Sequence, residues 1–489
     1  MERLRRKYSF IPALWSCLLA LSSCSESYPS LEFEDDKPII ENQEASSKTP
    51  IMLFVQKPSL FSITTRGTGA FDPNESNFEA KRKNILLHIF AFHNSQDVNM
   101  AESMNSVHGG NSEPDYENCL IDNGVNSGNL YWMGRPARLN SDNEGVEILK
   151  DKVTKEPEQL YYSSVHQDYG YNFFAYYIDD FEPNASNTTR TRNEIYHNID
   201  IDGSQDIMCG YSPKLEIEDV MNDLGYNVRD DDGNISKEEA QKMYDNILSD
   251  TEQNNINNIL SYGYSTYSAH RGINPTIDVK HQLARLKFTA YPGDGRSENI
   301  TITGIEVQTL TQGKLVVAST DLSKVGLTFR EDQPHSSIYL KEKSIDGIEE
   351  NQPLRQDFYN IVMTEEDKKL PNNKWMERTA TPIGDCLLVP PSETIRLILH
   401  YKEKYQISEN GDEYGIRYPH VVYDIKAPTE QQNIEESTGL YKFKSGYSYD
   451  IKIAVYGLQP IQIVAQMEGW KEGGDVNLDE DDFFDVPLE

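Results

Sequence analysis

Apolar residues recur at every second position of this chain far more often than at helical spacing, and period-two alternation is the mark of β-strands. It predicts strands over 51–56, 61–65, 85–92, 171–177, 276–291, 299–309, 394–401, 447–456 and 460–467. In Ile451-Lys452-Ile453-Ala454-Val455 one face is apolar and the other mixed, as in a sheet with one side in a core. Strands so patterned bury that side by stacking in pairs of sheets, so the expected fold class is mainly β, built of β-sandwich domains. The long polar stretches 94–130, 178–200 and 403–417 read as loops or insertions between strands.

One segment departs from the alternation. Residues 215–224 and 237–248 have helical spacing, and Ser236 followed by Glu239 reads as an S-x-x-E capping box at the start of the second helix, so a small helical insertion is expected near 214–260. The acidic turn between the helices invites comparison with a calcium loop. With Gly233 at loop position 6, Asp230, Asp232, Asn234, Ser236 and Glu239 fall at positions 3, 5, 7, 9 and 12. Val228 then stands at position 1, where the pattern needs a carboxylate. A weak cation site at Asp230, Asp232, Asn234 and Glu239, with calcium as the only candidate cofactor, is one expectation; a capped helix-turn-helix with a solvated acidic turn is the other.

The first 24 residues carry a different signal. A basic run (Arg3, Arg5, Arg6, Lys7) precedes an apolar stretch from Phe10 to Leu21 that is too short to span a bilayer, and Leu21-Ser22-Ser23-Cys24 follows. This is the layout of a lipoprotein export signal: residues 1–23 are expected to be removed and Cys24 to carry lipid. Residues 24–48 are polar and acidic, as a flexible tether would be. No second apolar run approaches membrane-spanning length, so attachment to a membrane would rest on the lipid at Cys24.

The net charge of −33 makes the chain a polyanion that repels nucleic acid. Beyond Cys17 and Cys24 only Cys119, Cys209 and Cys386 remain, too few and too scattered for a disulfide framework or a C-x-x-C metal site. Stability must come from cores, and the 29 tyrosines and 17 phenylalanines suit pleated surfaces. Catalytic motifs are missing: the sequence has no H-E-x-x-H, no G-x-S-x-G and no G-x-x-x-x-G-K-[ST]. His281, inside an alternating strand, reads as a packed or hydrogen-bonded residue. The acidic pairs Asp179-Asp180 and Glu365-Glu366 read as solvated loop charges. An enzyme is therefore not expected.

Several segments, taken in order, resemble the fimbrillin family, subunits of type V pili exported as outer-membrane lipoproteins. They are Asn84-Ile85-Leu86-Leu87-His88-Ile89-Phe90-Ala91-Phe92, Tyr161-Tyr162, Tyr171-Asn172-Phe173-Phe174-Ala175-Tyr176-Tyr177 and Gln205-Asp206-Ile207-Met208. After them come Val279-Lys280-His281-Gln282-Leu283-Ala284-Arg285-Leu286-Lys287-Phe288, Leu387-Leu388-Val389-Pro390, Gly446-Tyr447-Ser448-Tyr449-Asp450-Ile451, Pro460-Ile461-Gln462-Ile463 and Trp470. The resemblance implies two transthyretin-like β-sandwich domains, 49–274 and 275–470, and assembly with other fimbrial subunits by donor-strand exchange. In that scheme an arginine-specific protease removes the lipidated N-terminal strand, and a neighbour's strand fills the groove. Arg66-Gly67, just after the strand predicted at 61–65, sits where such a cut would fall.

Two features depart from the plainest family pattern: the helical insertion, and the acidic tail 471–489. The tail contains Val476, Leu478, Phe483 and Phe484, but its run Asp479-Glu480-Asp481-Asp482 costs too much to bury for easy strand donation. The implied role is a surface-exposed fimbrial subunit in cell adhesion, the insertions suiting a tip or accessory position, with a host or bacterial receptor. The alternative is a surface glycan-binding lipoprotein using exposed aromatics such as Tyr131-Trp132.

Overall fold

The computed structural model describes residues 48–55, 86–101, 115–122, 133–139, 145–150, 152–230, 232–330, 332–342, 359–407, 414–435, 437–457 and 462–468. Cys24, Arg66, Gly67, Tyr131, Trp132, Trp470 and the tail lie outside them. The described part is mainly β, with several sheets and few helices.

The first sheet has eight strands. In spatial order they are β1 (Phe54–Val55), β10 (Thr276–His281), β9 (Ile207–Tyr211), β6 (Tyr171–Ile178), β2 (Leu87–His93), β4 (Arg135–Leu139) and β5 (Val146–Ile148), with β3 (Cys119–Ile121) also paired to β2. Its central strands are apolar on both faces. On β2, Leu87, Ile89 and Ala91 enter one core while Phe90 and Phe92 enter another; on β6, Tyr171, Phe173 and Ala175 oppose Phe174, Tyr176 and Ile178. A sheet covered on both sides demands such near-continuous apolar runs.

One face is covered by the helical insertion: α1 (Ile217–Asp223), α2 (Lys237–Asn246), α3 (Asp250–Tyr262) and α4 (Thr266–Ala269). Val220, Met221, Ala240, Ile256 and Ile259 are buried against the sheet. The capping box predicted at Ser236 is only half formed. The Ser236 hydroxyl accepts from the Glu239 amide, but the Glu239 carboxylate takes the Lys242 ammonium at 2.7 Å instead of reaching back. The complete box stands one helix later, where the Ser249 side chain accepts from the Glu252 amide and Glu252 Oε2 accepts from the Ser249 amide at 2.8 Å.

The other face is covered by a second sheet, β14 (Gly326–Phe329), β13 (Gln312–Ser319), β8 (Glu194–Asp200) and β7 (Thr188–Arg190). Half of it comes from the first part of the chain and half from a hairpin more than a hundred residues later. Leu315 and Val317 of β13 join Ile195 and Ile199 of β8 over Phe90, Phe92, Phe174 and Tyr176. So 178–200, expected to be loop, contains two strands. Its alternation is masked because the residue pointing inward between Ile195 and Ile199 is a histidine, His197, fully buried against the rings of Tyr176 and Phe181.

The second sandwich pairs two further sheets. One is β17 (Thr381–Val389), β11 (Ala284–Pro292), β21 (Ser448–Val455) and β22 (Gln462–Glu468), in which β11 and β21 run parallel. The other is β15 (Ser336–Tyr339), β12 (Ile300–Thr309), β18 (Thr394–Gln406) and β19 (Tyr414–Arg417), with β16 (Tyr359–Asn360) on β12 and β20 (His420–Lys426) on β18. Leu286, Phe288, Ile451 and Ile453 meet Ile302, Ile305, Leu397 and Leu399 between them. Of the stretch 403–417, read as a loop, 403–406 end β18 and 414–417 form β19, a ribbon whose exposure hides its pairing in the sequence. The single strand expected over 276–291 is two, β10 in the first sheet and β11 in the second sandwich, divided at Gln282-Leu283. Cys119, Cys209 and Cys386 are buried, and none forms a disulfide.

Candidate assembly site

The segment 48–55 enters the first sandwich as an extended chain held on both sides. The Ile51 amide donates to Leu160 O at 2.9 Å and the Tyr162 amide to Thr49 O at 3.0 Å, while the Val146 amide donates to Leu53 O at 2.8 Å. On its other side β1 runs parallel to β10, Phe54 opposite Thr276 and Val55 opposite Ile277, and the Phe54 amide donates to Pro275 O at 3.0 Å. The side chains alternate as the sequence predicts. Ile51, Leu53 and Val55 are buried, at 5%, 2% and 0% exposed, while Met52 between them is 44% exposed. They share a core with Ile148, Tyr162, Ile273 and Ile277.

Burying a large aliphatic side chain is worth about 1.5–3 kcal/mol. Three of them, with a backbone ladder on each flank, give the segment a firm seat. Its start is pinned as well: Thr49 Oγ1 and His270 Nε2 lie 2.6 Å apart, and burial, with Arg271 nearby, holds the imidazole below its ordinary pKa. Withdrawing the segment would leave an apolar slot between 145–162 and β10, with unpaired backbone groups along both walls. Of the strands expected over 51–56 and 61–65, the residues past Val55 lie outside the described part, as do Arg66 and Gly67.

The acidic turn has a different character. Asp230 Oδ1 accepts from the amides of Asp232 at 3.1 Å and Asn234 at 2.8 Å, and Arg229 donates to Gly233 O at 2.7 Å. Gly233 takes φ +84, which closes the turn, and Arg229 bridges to Ile235. Glu239, the would-be twelfth ligand, is engaged by Lys242, and Val228, at the position of the first, is a fully buried core residue. Among the described residues no three His, Cys, Asp or Glu side chains converge as ligands for a metal ion. The geometry is that of a turn whose donors and acceptors serve its own backbone.

No protein-family model matches the chain, and no curated protein does. Among solved structures it is similar to a candidate cell adhesion protein from Parabacteroides distasonis, with TM-score 0.39 and 9% identity over 88% of this chain and 98% of that one. It is similar also to a candidate cell adhesion protein from Bacteroides ovatus, with TM-score 0.34 and 8% identity over 88% and 100%. A third is the fimbrial anchor protein Mfa2 from Porphyromonas gingivalis, with TM-score 0.28 and 9% identity over 86% and 98%.

Proposed function

We propose that this chain is a fimbrial subunit, exported as a lipoprotein through Cys24 and acting in cell adhesion at a tip or accessory position, and that it assembles by strand exchange. The observation that carries the reading is the seat of 48–55: an alternating apolar strand, laddered on both flanks, at the N-terminal side of Arg66-Gly67. Cutting there would free it from the body of the protein. A neighbour's strand with the same alternation would regain both the ladder and the three pockets, which is β-augmentation in its strongest form.

The decisive experiment is processing in cells that export the protein. Arg66→Ala should leave a lipidated, folded monomer that does not polymerise, and Arg82→Ala should polymerise as the wild type does. Assembled material whose N-terminus lies upstream of Ile51, or an Arg66→Ala chain that forms polymer normally, would overturn the reading.

The second reading, a surface glycan-binding lipoprotein, draws on the ribbon of β18 and β19, where Tyr405, Tyr414, Ile416 and nearby Tyr418 are exposed. Binding of the purified monomer on a glycan array, lost in a Tyr414→Ser/Tyr418→Ser variant, would favour it.

A further inference from the structure

The loop 201–206 connects β8 to β9 within the first sandwich and reaches out to the second. Its outer part docks on the second: the Leu388 amide donates to Gly203 O at 2.7 Å and Lys341 Nζ lies 3.0 Å from Asp202 Oδ2, while the Ile201 amide, donating to Thr311 O at 2.7 Å, extends the β8–β13 ladder. Gly203 adopts φ +88, and a Cβ there would come within 2.8 Å of Leu387 Cδ2 and 3.1 Å of Ile338 Cδ1, so the loop is pressed hard against that sandwich. Its inner end is fixed in the first sandwich by side chains the fold alone does not require. The Asp206 amide donates to Asp179 Oδ2 at 3.1 Å, the Asp179 amide to Asp206 O at 3.0 Å, and the Tyr177 hydroxyl to Asp179 Oδ1. His281 Nδ1 lies 2.9 Å from Asp206 Oδ1, and one residue on, the Gln282 amide donates to Ile207 O at 2.8 Å.

Asp179, Asp206 and His281 are all buried, at 5%, 1% and 6% exposed. They sit at the end of β6, the start of β9 and the end of β10, where the chain leaves the first sandwich for the second. The groups facing Asp179 are Tyr177 and Asp180 from its own strand and the turn after it, Asp206 ahead of β9, and, through Asp206, His281 of β10. Asp180 is itself held at φ +50, unusual for a residue with a side chain.

We infer that the Asp179–Asp206–His281 cluster is a proton-operated clasp on loop 201–206: with Asp179 protonated the loop is gripped and the sandwiches are held together, and with Asp179 ionised beside Asp206 the loop lets go. The two residues are bridged through their backbones, Asp206 N to Asp179 Oδ2 and Asp179 N to Asp206 O, and adding a second negative charge to a site closed to water is costly. Burial first, and then the charge of Asp206, push the Asp179 carboxyl up to about 7, against the opposing pull of the hydrogen bonds from Tyr177 and the Asp206 amide. A carboxyl raised in the folded state contributes stability that is complete at low pH and lost as pH rises toward the folded value. The window for this clasp therefore runs from about pH 4, the ordinary carboxyl value, to about 7, and the loosening is complete by about pH 8.

Native-state hydrogen exchange of the whole chain between pH 5.5 and 8.5, corrected for intrinsic rates, reads this directly. The amides of Asp206, Gln282 and Leu388 should lose protection on the order of tenfold across the window. The amides of Ile451 and Ile453 in β21 should not change. Asp179→Asn should abolish the response. Should that variant fail to fold, Tyr177→Phe, which removes a donor to the ionised carboxylate, should move the midpoint to higher pH. Equal loss of protection across all sheets, no response in the wild type, a response persisting in Asp179→Asn, or an unmoved midpoint in Tyr177→Phe would overturn the inference.

Discussion

Arg190 and Asp122 form an ion pair shut away from water, their side chains 2% and 0% exposed, with the guanidinium also donating to Met100 O at 3.0 Å and lying 5.6 Å from the centre of the Phe90 ring. Removing one partner of such a pair leaves a buried charge with nothing to balance it. Asp122→Ala should lower stability by about 3–5 kcal/mol in chemical denaturation, and a loss below 1 kcal/mol would show that water reaches the pair. Two buried imidazoles set the acid limit of the same sandwich. Burial, with Lys152 as a lesser cause, holds His88 down to about 4, and burial, with His88 as the lesser cause, holds His197 to about 3. Both stay neutral when folded but protonate near pH 6.5 when unfolded, so their contribution is complete above that value and is lost as pH falls toward 4. Thermal unfolding of the wild type should therefore show a midpoint that drops steadily below pH 6. The acidic turn calls for a plainer test. With Asp230 serving amides and Glu239 serving Lys242, calcium titration by calorimetry should give a Kd no tighter than about 10⁻⁴ M, and micromolar binding would reveal a rearranged loop.

At the scale of elements, strands rich in apolar and aromatic residues were legible: 85–92, 171–177, 299–309 and 447–456 correspond to β2, β6, β12 and β21. What hid from the sequence did so for particular reasons. β8 placed a histidine where a hydrophobe was expected, the end of β18 and β19 form a ribbon too exposed to alternate, and β13 reads Gln312-Gly313-Lys314-Leu315-Val316-Val317-Ala318-Ser319, its alternation broken where the register on β8 shifts between Val316 and Ala318. Of the proposed site residues, Cys24, Arg66 and Gly67 are read from motif and position alone. The clasp did not, although Tyr177, Asp206 and His281 each stand inside a segment that carried the family resemblance, because nothing in linear order says that the ends of three strands converge. The Ser249 box offers a test at this scale. Ser249→Ala should destabilise by about 1 kcal/mol, while Ser236→Ala, at a half-formed box, should cost less.

Across the whole molecule, the first sandwich cannot be completed by the first part of the chain. Phe90, Phe92, Phe174 and Tyr176 are covered in part by Leu315 and Val317, residues that follow the start of the second sandwich. Leu315→Ala should therefore cost about 2–5 kcal/mol and lower the stability of the first sandwich, not only that of the second. A fragment ending at His281 should aggregate, and if it is instead monomeric and cooperative the hairpin is dispensable. There is a temporal side to this arrangement. Under the proposed export, a chain delivered from its N-terminus would have only β8 to lay over those phenylalanines until β13 had also emerged, so completion of the first sandwich would wait until well over half the polypeptide had passed. Holding the chain open in this way would keep it threadable during such export and would leave its aromatic strands in need of a chaperone's shelter while they wait.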